Sequence, residues 1–390
     1  MFAPSAIRSL RVVSVTFRQA VALRSSTSVI RSKIKRSAKA VTQGSVGQLC
    51  FFGSLGGDRV LGRKIFSFFL VVLMLGTVLF IYHFRERRTD DYMIYAEANA
   101  EGTPTVMAAH YFSELVKERT NGRIQILVYA AGRLGSEQTV VNLVQSGCVD
   151  FARVSAAALS VESDGMKVLQ YPYLFRDKEH LLRVLDGEIG EDMLAELESY
   201  GMVGLAWHHC GFRHFYFSGQ EICSLEDFAG RKLRVQDTEE MRGLARSFGA
   251  IPVSMPFSEL LAGFQIQAVE GAENNFISYE SEGHYQFARF CVKDAHACTP
   301  GVQIISREVK EELSEEDWEI IRACAEEAER YERSIWDKMD SEAETRLLEQ
   351  GVVIRELSRE EKKLFKKKTQ DFYDEFTGEH AELLEKIRRS

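Results

Sequence analysis

Tyr92–Ser155 reads YMIYAEANAEGTPTVMAAHYFSELVKERTNGRIQILVYAAGRLGSEQTVVNLVQSGCVDFARVS, and the order of patterns within it decides the fold. YMIYAEA (92–98) has the look of a strand. Thr103 followed by Pro104 is an N-cap and first-turn signal. Val106, Met107, Phe112, Leu115 and Val116 then recur at helical spacing until Asn121-Gly122 stops the run. RIQILVYA (123–130) is a second strand, SEQTVVNLVQSG a helix capped by Ser136, and CVDFARVS (148–155) a third strand. A β-α-β-α-β series predicts a parallel sheet with ligand-binding loops at the carboxyl ends of its strands.

The pattern recurs downstream. MVGLAWHH (202–209) and FRHFYF (212–217) read as strands on either side of Gly211. Ser224 and Asp227 form a capping box before a short helix that ends at Gly230. RKLRVQ (231–236) is a strand, followed by a helix to Gly249, the short strand IPVSM and a helix from Ser258. AVEGAENNF (268–276) leads into a further strand or loop, completing a second α/β lobe. Ser314 and Asp317 then open a long helix whose apolar residues are Trp318, Ile321, Cys324, Ala328, Tyr331, Ile335 and Met339. Ending near Leu348, it is about 50 Å long at 1.5 Å per residue, enough to brace two lobes. Ser358 and Glu361 cap another helix, in which KKLFKKK is a solvated face.

The chain has 390 residues, enough for two α/β domains with cores of their own. Its charge is divided unevenly. Residues 1–64 carry twelve Lys or Arg and one acid, Asp58. The totals are 49 basic and 57 acidic residues, so 37 and 56 remain beyond that point, a net charge of −19. So acidic a body argues against a nucleic-acid partner. Ile65–Phe84, IFSFFLVVLMLGTVLFIYHF, contains no Lys, Arg, Asp or Glu and is long enough to cross a bilayer. Arg63 and Lys64 before it place the N-terminus in the cytoplasm and the body outside. A cleaved signal peptide is the competing reading, but FIYHFRERR offers no small-residue cleavage site, which favours an uncleaved anchor. The basic extension 1–64 is expected to be disordered. Its opening residues are Ser-, Arg- and Val-rich, as in a transit peptide or an upstream extension from a misplaced start. Six cysteines follow the hydrophobic run, Cys148, Cys210, Cys223, Cys291, Cys298 and Cys324. Their number permits disulfides, and their scatter equally suits buried apolar residues.

WHHCGFRHFYFS (207–218), LEDFAGRKLRVQ (225–236) and GAIPVSMPFSELLAGFQIQAVEGAENNF (249–276), in that order, resemble the DctP family. These are the solute-binding subunits of tripartite ATP-independent periplasmic (TRAP) transporters. GRLGSEQ (132–138) and YPYLFRD (171–177) agree, and the resemblance covers about 92–370. It implies a two-lobed clamshell closing on its ligand, with a long helix spanning both lobes. The first lobe would comprise 91–210 with a return near 300–340, the second 211–299, and C-terminal helices 341–390.

The resemblance also implies a set of binding residues. Arg234 matches the strand arginine that grips the substrate carboxylate; a guanidinium suits that task, being always charged and offering two parallel N–H donors. Arg213 matches a second arginine at the ligand, with a salt bridge at the lobe junction as its alternative role. Asn274 matches the asparagine that hydrogen-bonds the ligand, and Phe257 the aromatic packed on its carbon skeleton. Glu137 matches an acidic position that takes polar substituents in some members. Departures fall at RVQDTEE after the strand arginine, at Asn275 in place of a proline, at His209-Cys210, and at Ser155-Ala156 in the first-lobe loop.

The implied function is an extracytoplasmic, periplasmic solute-binding protein, anchored to the inner membrane by 65–84. It would capture a small organic acid and deliver it to the membrane subunits of a TRAP transporter. A membrane-anchored sensory receptor for the same solutes is the alternative, and an extracytoplasmic hydrolase a more distant one. No GxSxG, HExxH, P-loop or GxGxxG motif in a suitable context is present, so no enzyme and no cofactor are expected. His208, His209 and His214 lack the acidic or cysteine framework of a metal site.

Overall fold

The computed structural model describes residues 92–390; the extension 1–64 and the apolar run 65–84 lie outside the described residues. No helix among the described residues is long and apolar enough to cross a membrane.

Two sheets carry the fold. β1 (Met93–Glu97), β2 (Ile126–Tyr129) and β3 (Phe151–Ser155) pair in parallel, joined through helices α1 (Pro104–Arg119) and α2 (Glu137–Gln145). Thr103 does sit at the N-cap of α1, but its hydroxyl donates to the Ala100 carbonyl at 2.9 Å instead of capping. Ser136 caps α2 by accepting the Thr139 N–H. β4 (Met202–His208) completes this sheet only through β10 (Gly301–Ser306), which runs antiparallel between β3 and β4; the order is β2-β1-β3-β10-β4. The second sheet has the order β11-β9-β5-β8-β6-β7. Its strands are β5 (Arg213–Phe217), β6 (Lys232–Val235), β7 (Ile251–Ser254), β8 (Gly271–Asn274), β9 (Phe290–Ala297) and β11 (Val353–Glu356). Helix α3 (Glu239–Ser247), capped by Thr238, links β6 to β7. We call the units around the two sheets the first and second lobes.

The chain crosses between the sheets repeatedly. β4 leads to β5 through Gly211, whose φ of +66° is left-handed. A Cβ there would lie 2.9 Å from Trp336 Nε1, so any larger residue would have to push the Trp336 ring aside. The return runs from β9 to β10 through Cys298–Pro300. Helix α4 (Glu315–Glu349, 35 residues) then contributes to both cores. Ile321, Cys324, Ala325 and Ala328 pack with Tyr95, Phe112 and Phe151 of the first lobe. Trp336, Ala343 and Leu347 pack with Tyr216, Phe264 and Phe276 of the second. The buried stripe passes from Ala328 through Glu332 to Trp336, displacing the expected Tyr331 and Ile335, which are only partly buried. A carboxylate in the stripe had broken its hydrophobic period.

Residues 341–390 are not the purely helical appendage expected. Residue 341 lies inside α4, and β11 is an edge strand paired in parallel with β9. Four residues are too few to announce themselves by alternation, and their pairing partner is remote in sequence. Beyond β11, Phe365 of α5 (Arg359–Lys368) enters a second-lobe core. Phe372 of α6 (Gln370–Phe376), with Leu384 and Ile387 of α7 (Ala381–Arg389), enters a first-lobe core. The six cysteines downstream of the hydrophobic run are free thiols, and Cys210, Cys291, Cys298 and Cys324 are buried as small apolar residues.

Candidate functional site

Residues at or just beyond the carboxyl ends of β1, β3, β6, β7 and β8 line a cavity of about 220 Å³ to which both lobes contribute. This is the edge at which parallel strands present ligand loops. Arg234, Arg213, Asn274, Phe257 and Glu137, the five residues singled out from sequence, all line it. So do Arg153, Ser155 and Gln236.

Arg234 is the third residue of β6 and only 3% exposed. Its Nε donates to the Met255 carbonyl at 3.0 Å, and its guanidinium lies 5.9 Å from the Phe257 ring centroid, within cation–π range. Among the described residues no carboxylate lies within ion-pair distance of it. Burial pushes its pKa down, only partly countered by Glu273. A buried cation without an anion is costly, and an anionic ligand is the simplest remedy.

Arg213 is in the opposite situation. It opens β5, opposite the end of β8, and its Nε and Nη2 engage both carboxylate oxygens of Glu273. Nη2 also donates to the Glu273 carbonyl at 2.8 Å, and Nη1 to Asn274 Oδ1 at 2.9 Å. Burial raises the Glu273 carboxyl, but Arg213 and His296 outweigh it and hold the group at about 2. Four of the five guanidinium N–H groups are thus committed, leaving one on Nη1 for a ligand. Asn274 Oδ1 accepts from Arg213 and from the Asn275 N–H, so its amide donors are the part left to the cavity. Asn275 caps the following helix by accepting the Ser278 N–H at 2.7 Å, and donates to the Cys210 carbonyl.

The first-lobe wall holds an arginine that sequence reasoning missed. Arg153, on β3, donates from Nε and Nη2 to the two oxygens of the buried Glu97, and its Nη1 lies 3.6 Å from Glu137. Glu137, the first residue of α2, accepts the Ser155 N–H at 2.8 Å on one oxygen and the Ser155 hydroxyl at 2.6 Å on the other. The available signal was a charged residue near the carboxyl end of the otherwise apolar FARVS strand. Gln236, one of the departures from the family pattern, donates from Nε2 to Ser155 Oγ at 3.2 Å. Thr238 donates to Gln170 Oε1 at 2.8 Å. These two contacts join the lobes beside the cavity.

The histidines near the crossing belong to the core. Burial, reinforced by Arg153, pushes His208 down to about 3, and burial with Lys178 lowers His209 to about 4. His214 accepts the Ala295 N–H on Nδ1 and packs against Phe276. Among the described residues no group of three or more His, Cys, Asp or Glu is placed to hold a metal ion. Beneath the crossing, Glu332 of α4 is fully buried and accepts the His209 N–H at 3.3 Å. Burial holds its carboxyl well above the usual range.

Comparison with known proteins agrees with this architecture. Residues 95–379 match the DctP family model, bacterial extracellular solute-binding protein family 7. A solute-binding protein of Chromohalobacter salexigens is 31% identical over 280 residues, 72% of this chain and 83% of that protein. A TRAP periplasmic solute-binding protein from Xanthobacter autotrophicus Py2, solved with bound β-D-galacturonate, superposes with a TM-score of 0.73 at 32% identity. The match covers 76% of this chain and 99% of that one. The sugar acid binding protein DctPAm from Advenella mimigardefordensis, in complex with galactonate, gives a TM-score of 0.75 at 26% identity, covering 77% and 97% of the two chains. With its two sheets, its lobe-spanning helix and its family match over most of its length, the chain belongs to the DctP family of bacterial extracellular solute-binding proteins.

Proposed function

We propose that Arg234 receives the carboxylate of a small organic acid, which the chain delivers to the membrane subunits of a TRAP transporter. The observation that carries this reading is a buried guanidinium with no carboxylate partner among the described residues, facing a cavity where strand ends from both lobes converge. Arg213 and Asn274 add a donor each, and Phe257 packs against the carbon skeleton. Relatives captured with galacturonate and galactonate make sugar acids the first solutes to try. Binding would close the lobes, since a ligand touching both favours the closed state by its differential affinity. The chain would act in the periplasm, held at the inner membrane by Ile65–Phe84, with 91–210 and 211–299 forming the greater part of the two lobes.

Thermal-shift screening of the full-length chain against small organic acids tests the function, because a ligand that binds only the folded state raises its melting temperature. A hit that Arg234→Ala still binds with unchanged affinity sinks the assignment. Recovery of a soluble mature form beginning just after Phe84 would refute the anchor alone.

A further inference from the structure

Among the described residues most of the charges around the cavity are answered by a partner. Arg213 is matched by Glu273, and Arg153 by Glu97, each through both carboxylate oxygens. Asp237, at the rim, is matched by Arg242 at 2.6 Å. His208 and His209 are held neutral by burial and nearby cations, and burial pushes the Glu332 carboxyl well above the usual carboxylate range. Among the described residues that line the cavity, what remains is one cation in the second-lobe wall, Arg234, and one excess anion in the first-lobe wall, Glu137, which shares Arg153 with Glu97. Among the described residues the two are not within ion-pair distance of each other.

Glu137 is fixed in place. Ser155 donates its N–H to one oxygen and its hydroxyl to the other. A carboxylate accepts about four hydrogen bonds, so about two positions remain on Glu137. Its nearest cation, Arg153 Nη1 at 3.6 Å, belongs to a guanidinium already committed to Glu97. Glu97 and Glu137 therefore share one guanidinium, which leaves this wall with one negative charge in excess and Glu137 as the carboxylate facing the cavity. A ligand hydroxyl pointing at it gains a charge-assisted hydrogen bond, whereas a ligand carboxylate there meets a like charge.

We propose that the cavity selects a monocarboxylate whose far end carries hydroxyl groups, and that Glu137 is the residue that rejects a second carboxylate. The proposal rests on the reading of Arg234 as the carboxylate receptor. It adds a direction: the acid end lies against the second lobe and the hydroxyl end against the first. Two-ended acids of the same length and skeleton are disfavoured by charge.

The test is calorimetry on the full-length protein at about pH 8, well above carboxyl pKa values, so that every ligand acid is ionised. The probes are galacturonate, glucuronate, galactonate and gluconate, the matching diacids galactarate and glucarate, and the neutral sugars galactose and glucose. At least one monoacid is expected to bind, with its matching diacid at least about tenfold weaker, which corresponds to about 1.4 kcal/mol. Glu137→Gln should narrow that ratio by strengthening the diacid. A diacid that equals or beats its monoacid overturns the selectivity and leaves the carboxylate reading standing. Failure of all four monoacids to bind also overturns it. An unchanged ratio in Glu137→Gln removes Glu137 from the role. Neutral sugars binding as tightly as the acids would bring down the underlying reading as well.

Discussion

In the first-lobe wall of the cavity Arg153 is enclosed by two carboxylates, Glu97 and Glu137, whereas in the second-lobe wall Arg234 bonds, among the described residues, only to the Met255 carbonyl. Both side chains are buried, both lie towards the carboxyl ends of parallel strands, and they differ only in what surrounds them. A buried arginine with its own carboxylate contributes to the fold, because its charge is already answered. One without a carboxylate is a standing cost until an anion arrives. Arg213, answered by Glu273 yet retaining one free N–H, lies between these cases.

The largest expected effect concerns the paired side of this comparison. Glu273→Ala leaves Arg213 buried and alone, a loss of about 3–5 kcal/mol when one partner of a buried pair is removed. Urea unfolding should register it as a fall in midpoint, with or without ligand. A loss below about 1 kcal/mol would mean that the pair is not a structural brace. Arg234→Ala should do the reverse. Affinity falls by about 2–5 kcal/mol, about 30- to 5000-fold, while the stability of the free protein stays level or rises. If that variant instead unfolds the free protein, Arg234 belongs with the paired arginines and the contrast collapses.

Glu332 sharpens the comparison from the acid side, as a buried carboxyl with no cation in ion-pair contact among the described residues. Burial raises its pKa in the fold, so its neutral form is favoured there and the folded state holds the extra proton. Its favourable contribution is full below the unfolded carboxyl value and declines as pH rises above it. Burial also raises Glu329 to about 7 and Asp340 to about 6, with the same sign. Glu332→Gln is therefore expected to raise the melting temperature more at about pH 8 than at about pH 4. Equal shifts at the two pH values would show that the carboxyl is not protonated by its surroundings. The smallest effect belongs to the contact between the walls. Gln236→Ala removes the bond to Ser155, worth about 0.5–1.5 kcal/mol. It should weaken ligand binding about two- to tenfold, and small-angle scattering should show less contraction on ligand addition.

Much of this arrangement was legible because it is local. The caps at Ser136, Ser314 and Ser358 and the turn at Gly211 each depend on neighbours within a few residues. The five residues expected to contact ligand line a single cavity because family resemblance carried positional information that periodicity lacks. What escaped is non-local. Arg153 reads as one charge in a strand until Glu97, 56 positions away, is placed beside it. Trp336 escaped because Glu332 interrupts the apolar repeat that should have led to it. β11 is a strand only because β9 is there to pair with. The departures from the family pattern were visible but mute. Gln236 joins the lobes, and Asn275 caps a helix where a proline could not accept its neighbour's N–H through a side chain.

The placement of β10 has a consequence for the order in which the molecule is completed. β3 ends at Ser155 and β4 at His208, yet the strand that lies between them begins only at Gly301. A chain emerging with its N-terminus first therefore carries a divided first sheet until the whole of the second sheet except β11 has followed. Ligand-ready geometry at Arg153 and Ser155 depends on that late insertion, since β10 pairs along β3 through both residues. Such long-range closure is slow to form. Completion of the first sheet is thereby tied to completion of most of the second, so the two walls of the cavity are finished together.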